Sequence, residues 1–259
     1  METNTSQLFS KTSFCTCCYL SSLSNYRASL VRNAIKTWEQ FLELPFGEKV
    51  FLDDASPDIN GIRLLKQTNT LNKFDNVSYN TLIHAPHSNF GILSSMEICR
   101  SEYILHLDDD IKVTASYEDC RKFLEAALEA LEKDENLLGI NLLTMPNEFD
   151  KNWFPGNDYS GSDIFAHPKK YFGTAACLIK RKLLERVSLA DIINWGEKQP
   201  HTWEVLVSDD AASFLVSKVT TPFGLDLDAW VHHSVTNKSW RGIKKRMKYN
   251  LSKYFSFIK

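Results

Sequence analysis

Strand-length apolar runs alternate with helix-length amphipathic ones along most of this chain, and two of the strand runs break off directly into clusters of aspartate. The run Lys49-Val-Phe-Leu52 ends at Asp53-Asp54-Ala55-Ser56-Pro57-Asp58, and Tyr103-Ile-Leu-His-Leu107 ends at Asp108-Asp109-Asp110. Alternation of this kind restricts the fold to an α/β class with a doubly wound, mostly parallel sheet, in which ligands gather outside the carboxyl ends of the strands. Both acidic clusters fall where that rule puts a site.

The spacing predicts the remaining elements. Ser13 to Leu20 reads as a short buried strand, followed by a helix over about Tyr26 to Leu44 with Leu30, Ala34, Trp38 and Phe41 on one face. Asp53 to Asp58 is a run of turn and N-cap residues, and a helix follows over Ile59 to Gln67. A strand near Ser78 to His84, a helix near Ile92 to Arg100 and the strand Tyr103 to Leu107 come next. Beyond the second cluster, Tyr117 to Asp134 is an amphipathic helix, Gly139 to Thr144 a strand, and Lys151 to Pro168 a loop rich in Gly, Asn and Asp. Thr174 to Ile179 reads as a strand, Ser208 caps a helix beginning Asp209-Asp210, and Leu225 to His233 is a late extended segment.

Composition bounds the rest. With 259 residues, 43% apolar and 24% charged, the chain has the content of one large globular domain and is not disordered. The net charge of -2 gives no reason to expect a nucleic-acid partner, but it is unevenly spread. Lys238 to Lys259 holds eight basic and no acidic residues, leaving 22 basic against 32 acidic side chains in the rest. In that tail Trp240, Ile243, Met247, Leu251, Tyr254 and Ile258 recur at helical intervals opposite Lys244, Lys245, Arg246 and Lys248. Such a basic amphipathic helix either lies on an anionic membrane surface or packs on the domain with its cationic face in water. Cys15, Cys17 and Cys18 lack the paired spacing of a zinc site and read as buried strand thiols; with Cys99, Cys120 and Cys177 they favour a reducing compartment. No secretory leader and no stretch of about 18 apolar residues is present, so the expectation is a cytoplasmic protein, with peripheral membrane contact through 238–259 as an option.

Three consecutive aspartates at the edge of a core repel one another and lose hydration, which raises their pKa values unless a cation compensates. Hard carboxylate oxygens suit Mn²⁺ or Mg²⁺, ions that take a few protein carboxylates and complete their shell with phosphate and water. In an extended segment Asp108 and Asp110 point to one side and Asp109 to the other, so Asp108 and Asp110 are the expected ligands. Taken singly, Asp108 to Asp110 also describes a solvated turn, and Asp53-Asp54 an ordinary helix cap.

Taken together, FLDDASPD at Phe51 to Asp58, NFG at Asn89 to Gly91, SEYILHLDDDI at Ser101 to Ile111, FGTAACLIKRKLL at Phe172 to Leu184 and SDDAASFLVSKV at Ser208 to Val219 resemble the inverting, family-2-type GT-A glycosyltransferases. The resemblance covers about residues 12–235. It implies one GT-A domain over 1–237, flanked by helices and carrying a small antiparallel element, with a nucleotide-sugar-binding half over 12–112, an acceptor-binding half over 113–237, and the basic helix 238–259 beyond.

For the site, the resemblance implies that Asp53 or Asp54 contacts the base or ribose of a UDP- or GDP-type donor, that Asp108 touches the sugar or ribose, and that Asp110 ligates the metal at the diphosphate. Tyr19, His87, Asn89 and Asp109 are further donor contacts on the same grounds. The catalytic base falls in the acidic pair, on Asp210 first and Asp209 second, and His232, or His233 beside it, becomes a third metal ligand. A base of this kind is needed physically: one carboxylate must take the proton of the acceptor hydroxyl as it attacks, and the macrodipole of a following helix would keep it ionised. The acceptor is a glycan or a lipid-linked one. Where members often carry Arg-Asn before the metal strand, this chain has Ile92 and Leu93, leaving His87 and Arg100 as candidates for the contacts of that Arg; Asp209 stands where Glu is frequent. Two other classes share the scaffold: a nucleotidyltransferase, whose Gly-rich phosphate loop is replaced here by Tyr19-Leu20-Ser21-Ser22, and a non-catalytic nucleotide-sugar or glycan-binding protein.

Overall fold

A computed structural model of the chain describes residues 7–20, 25–79, 88–144, 155–168, 173–186 and 211–226. In chain order its elements are β1 (Thr12–Cys18), α1 (Asn25–Thr37), β2 (Glu48–Asp53), α2 (Ile59–Gln67), β3 (Asn76–Tyr79), α3 (Ser88–Ile98), β4 (Tyr103–Leu107), β5 (Ile111–Val113) and α4 (Tyr117–Lys133). They continue with β6 (Gly139–Asn141), β7 (Leu143–Thr144), β8 (Pro155–Asp158), β9 (Phe165–Pro168), β10 (Ala176–Lys180), β11 (Phe214–Ser217) and β12 (Phe223–Leu225).

Nine strands form one sheet in the order β3-β2-β1-β4-β10-β6-β11-β9-β8. Strands β3, β2, β1 and β4 are mutually parallel; β10 runs against β4 and β6, β6 and β11 are parallel, and β9 runs against β11 and β8. The sheet is therefore mostly parallel, with β10 and β9 reversed. The chain order turns between β1 and β4, which makes the carboxyl ends of those strands the place for a ligand. A second sheet, β5-β12-β7, has one antiparallel and one parallel pairing.

The strands alternate faces, and each face has its own core. Phe14, Cys18, Phe51, Leu105 and Leu178 join Ala28, Val31, Ile35 and Trp38 of the α1 region and Phe123, Leu124 and Leu128 of α4. Cys15, Val50, Ile104, Cys177 and Ile179 face the other way, onto Ile92, Leu93, Met96 and Cys99 at α3. Fully buried Phe14 meets Trp38 and Phe41 edge-on, with ring centroids 5.7 and 5.3 Å apart. Asp58 caps α2 by accepting from Gly61 N at 2.9 Å, and Ser116 caps α4 by accepting from Asp119 N at 3.2 Å. All six cysteines are free thiols, with Cys15, Cys17 and Cys18 on β1 as their spacing predicts.

Several expectations are corrected. Helix α1 stops at Thr37 rather than Leu44: Trp38 leaves it to donate its indole N–H to Ile111 O at 2.8 Å, and only a 3₁₀ turn, Phe41–Glu43, follows. Pro45 excludes a helical Leu44, whose ψ is 142°. Gly139 to Thr144 is not one strand but two, β6 in the large sheet and β7 in the small one. Within the stretch expected as a loop, β8 and β9 pair as an antiparallel edge of the large sheet. After Asp210 the chain forms a 3₁₀ turn, Ala211–Ser213, and enters β11 instead of continuing as a helix. Residues 238–259 lie outside the described residues. Among the described residues no helix is long and apolar enough to cross a membrane.

Candidate active site

The loops leaving β1 and β2 are tied together at the carboxyl edge of the sheet. Leu20 N donates to Ser56 Oγ at 2.7 Å, Asp54 N to Cys18 O at 2.9 Å, and Asp58 N to Leu20 O at 3.3 Å. Ala55, between Asp54 and Ser56, holds a φ of 54°, a left-handed conformation that costs a residue with a Cβ roughly 1–2 kcal/mol. Helix α3 approaches the same edge through Gly91. A Cβ there would stand 2.5 Å from Cys17 Sγ and 2.8 Å from Asp54 Oδ2, so only glycine lets this helix come so close to the ends of β1 and β2.

The three aspartates after β4 form a turn rather than an extended segment, because Ile111 N donates to Asp108 O at 3.1 Å. Its flanks are pinned by Asp108 N to Ala175 O and Asp226 N to Asp110 O, both 2.7 Å. The side chains go to different partners. Asp108, with 30% of its side chain exposed, accepts from His106 Nε2 at 2.9 Å on the α3 face. Asp109 turns to the α1 face and meets the guanidinium of Arg27 in a buried ion pair. Asp110, 7% exposed, has its carboxyl pushed up to about 8 by burial and by the neighbouring charge of Asp108. Burial and the charge of Asp109 push the Cys18 thiol well up, so it stays protonated beneath the turn. Asp226, also buried, pairs with Lys112 at 2.9 Å.

Among the described residues, buried polar atoms without a partner collect around this edge. They include Asp53 Oδ1, Asp58 Oδ2, Asp109 Oδ2, Thr16 Oγ1, and Nε and Nη1 of Arg27. Buried polar groups are ordinarily paired, so a concentration of orphans marks a place built for something else to contact. The Asp53 carboxyl is raised by burial, against which its bonds to Ser56 act.

Asp53, Asp54, Tyr19, Asp108, Asp109 and Asp110 are thus brought to one edge, at the ends of β1, β2 and β4. Tyr19 stands directly after β1 and is half-buried. His87, Asp209, Asp210, His232 and His233 lie outside the described residues, as does the side chain of Asn89, whose backbone opens α3. Ile92 and Leu93 are buried in the core and offer no polar contact. Arg100 is exposed at the amino end of β4, where its N–H meets Glu48 Oε1 at 2.5 Å, so it sits at the wrong edge of the sheet for a donor. Sequence reasoning missed Arg27 and His106. Arg27 sits in the first turn of a helix, where basic residues usually face water. His106 carried a readable signal, a titratable residue inside the five-residue apolar strand that leads into the aspartates.

The donor set fits a hard divalent ion. With Asp109 neutralised by Arg27, Asp108 and Asp110 are the carboxyls of the turn with no ion pair to Lys or Arg among the described residues, and the raised carboxyl of Asp110 is what a site lacking its cation shows. Among the described residues no three His, Cys, Asp or Glu side chains converge as a complete metal cage. Mg²⁺-type sites need only one or two protein carboxylates, the rest of the shell coming from water and substrate phosphate.

No protein-family model matches this sequence, and no curated protein matches it. Solved structures do. TarS 1-349 of S. aureus in complex with UDP matches with a TM-score of 0.52 at 13% identity, covering 86% of this chain and 64% of that one. The same TarS segment without a named ligand gives 0.51 at 13% identity, covering 86% and 63%. A mannosyltransferase, PcManGT from Pyrobaculum calidifontis in complex with GDP-Man and Mn²⁺, matches at 17% identity over 68% of this chain and 46% of its own, with a TM-score of 0.44. The chain spans less than two thirds of the length of each of these structures. Its large sheet, covered by helices on both faces, is the fold of GT-A type glycosyltransferases.

Proposed function

We propose that this chain is a glycosyltransferase that moves a sugar from a nucleoside diphosphate donor to a hydroxyl of a glycan or lipid-linked acceptor, with inversion. The observation that carries the reading is the division of labour within the acidic edge. Asp109 is cancelled by Arg27, while Asp108 and Asp110 are left to a cation, which would draw off the proton that burial keeps on Asp110, and Asp53 holds an acceptor oxygen without a partner among the described residues two strands away. Asp53 Oδ1 suits the imide N–H of a uracil, and the TarS structure matched above holds UDP. The tied loops of Leu20 and Ser56 supply a rigid rim for the base and ribose, with Tyr19 and Asp54 beside it.

Asp110 and Asp108 would hold Mn²⁺ or Mg²⁺, with His232 or His233 as a further ligand on the resemblance alone. When bound, such an ion neutralises charge on the departing diphosphate. The proton of the acceptor hydroxyl goes to Asp210, or to Asp209. The helix dipole expected to keep that base ionised is missing, because a 3₁₀ turn and β11 follow it. The remaining support for the base is its place in the SDDAASFLVSKV motif.

Calorimetry with UDP and GDP, with and without Mn²⁺, followed by a donor hydrolysis assay, tests the reading. Metal-enhanced nucleotide binding with turnover is expected, and Asp110→Ala should remove the metal dependence of both. Full activity in that variant would sink the metal assignment, and tight binding without turnover would make the chain a nucleotide-sugar-binding protein.

A further inference from the structure

Behind Asp108, the half-buried aspartate of the acidic turn, lies a buried relay that the transfer chemistry does not use directly. His106 is fully buried on β4, and both ring nitrogens have partners. Nε2 lies 2.9 Å from Asp108 Oδ1, and Nδ1 lies 3.6 Å from the sulfur of Cys15. The contacts follow from register: Cys15 of β1 and Cys177 of β10 both stand opposite His106, so the ring is enclosed between two neighbouring strands.

The chemistry of the partners fixes the ring's tautomer. A lone pair on Nε2 facing a carboxylate would be repelled, so Nε2 carries the proton and donates it to Asp108. Nδ1 is then an acceptor, and the Cys15 thiol is the donor in reach. Burial holds that thiol protonated. Ser95 Oγ, 3.7 Å from the same sulfur, donates its own proton to Ile92 O at 2.7 Å, and Cys99, which also meets this thiol, donates to Ser95 O at 3.4 Å; an imidazole nitrogen is a stronger acceptor for the Cys15 proton than either. The line Cys15, His106, Asp108 is therefore a directed chain of donors from core to turn. It occupies one oxygen of Asp108 and leaves the other for a ligand.

We propose that His106 is a positioning residue for the divalent ion: it acts through Asp108, holding that carboxylate in its metal-binding orientation, and Cys15 sets the tautomer that lets it do so. This rests on the reading of Asp108 as a metal ligand. Groups that orient a metal-bound side chain from behind typically contribute about 10- to 100-fold in metal affinity.

The test is a titration of the full-length protein with Mn²⁺, following the free-ion signal by electron paramagnetic resonance, with no donor and no turnover. His106→Leu should weaken binding about 10- to 100-fold. His106→Gln, whose side-chain amide nitrogen falls near the position of Nε2, should recover most of it. In parallel, long-range ¹H–¹⁵N correlation spectra of the unsubstituted protein should show the proton of His106 on Nε2, and Cys15→Ala should mix the tautomers where Cys15→Ser preserves them. Equal Mn²⁺ affinity in the unsubstituted protein and His106→Leu, no recovery in His106→Gln, or a proton on Nδ1, would overturn the inference while leaving the metal site standing. Absence of any Mn²⁺ binding by the unsubstituted protein would overturn the metal reading itself, and this inference with it.

Discussion

The guanidinium of Arg27, in the first turn of α1, closes on the carboxylate of Asp109 with both residues buried. Removing one partner of such a pair strands the other as a bare charge in the core. Arg27→Met should destabilise the fold by about 3–5 kcal/mol, and the double variant Arg27→Met, Asp109→Leu should regain most of that loss. Urea denaturation of the parent, Arg27→Met, Asp109→Leu and the double variant measures it. Simple additivity of the Arg27 and Asp109 substitutions would mean that the two residues are not coupled.

Asp110 predicts a stability that falls with pH. Its carboxyl is raised from 3.8 to about 8 in the folded protein, so between those values the folded chain holds a proton that the unfolded chain has given up. The resulting penalty is absent below the lower value, grows through the interval and is complete above the upper one. Asp110→Asn removes it. At alkaline pH the variant should be more stable than the parent by an amount on the order of a few kcal/mol, and at acidic pH the two should converge. Thermal melts across the range check this, and Mn²⁺ should narrow the alkaline gap by stabilising only the parent. A parent as stable as Asp110→Asn at alkaline pH without metal would refute it.

Gly91 is helical, and in an open helix alanine would be about 1 kcal/mol better there. Here the added methyl meets Cys17 Sγ at 2.5 Å and Asp54 Oδ2 at 2.8 Å, so overpacking should outweigh helix propensity. Gly91→Ala is expected to lose about 1–3 kcal/mol and to weaken nucleotide binding by displacing Asp54. Denaturation midpoints and UDP calorimetry report the two effects separately; a stabilised variant would show that α3 can move away freely.

Asp53→Asn keeps the shape of the side chain but turns part of an acceptor group into a donor. UDP affinity should fall by about 1–3 kcal/mol, the loss expected where a buried donor is left unpaired, with Mn²⁺ binding unchanged. Asp108→Asn should do the reverse for the ion. Identical losses in both titrations for Asp53→Asn would place it with the metal rather than the base.

The first half of this fold, β1 to β4, was legible in the sequence because local patterns set it. The apolar runs ending at Asp53 and Asp108 are nearly continuous, as in strands buried on both faces, and helix 59–67 was legible from its cap at Asp58. Reading failed where geometry comes from distant partners. Nothing local says that Trp38 will leave its helix for Ile111 O, or that Gly139 to Thr144 will cross between sheets. Simple alternation through Asp108 to Asp110 separated Asp109 from its neighbours for the wrong reason. The backbone turns there, and Asp109 is set apart by Arg27, 82 positions away.

Strand β10 comes late in the chain yet occupies the middle of the large sheet, hydrogen-bonded to β4 on one side and β6 on the other. A gene fragment ending shortly after the acidic turn would encode β1 to β4 but leave β4 with a bare edge, ready to pair with another chain. The half of the chain that ends at the acidic turn is thus not a portable module. Any transplant of this site to a new scaffold, or any split-protein design, has to bring a strand from the distant half along with it.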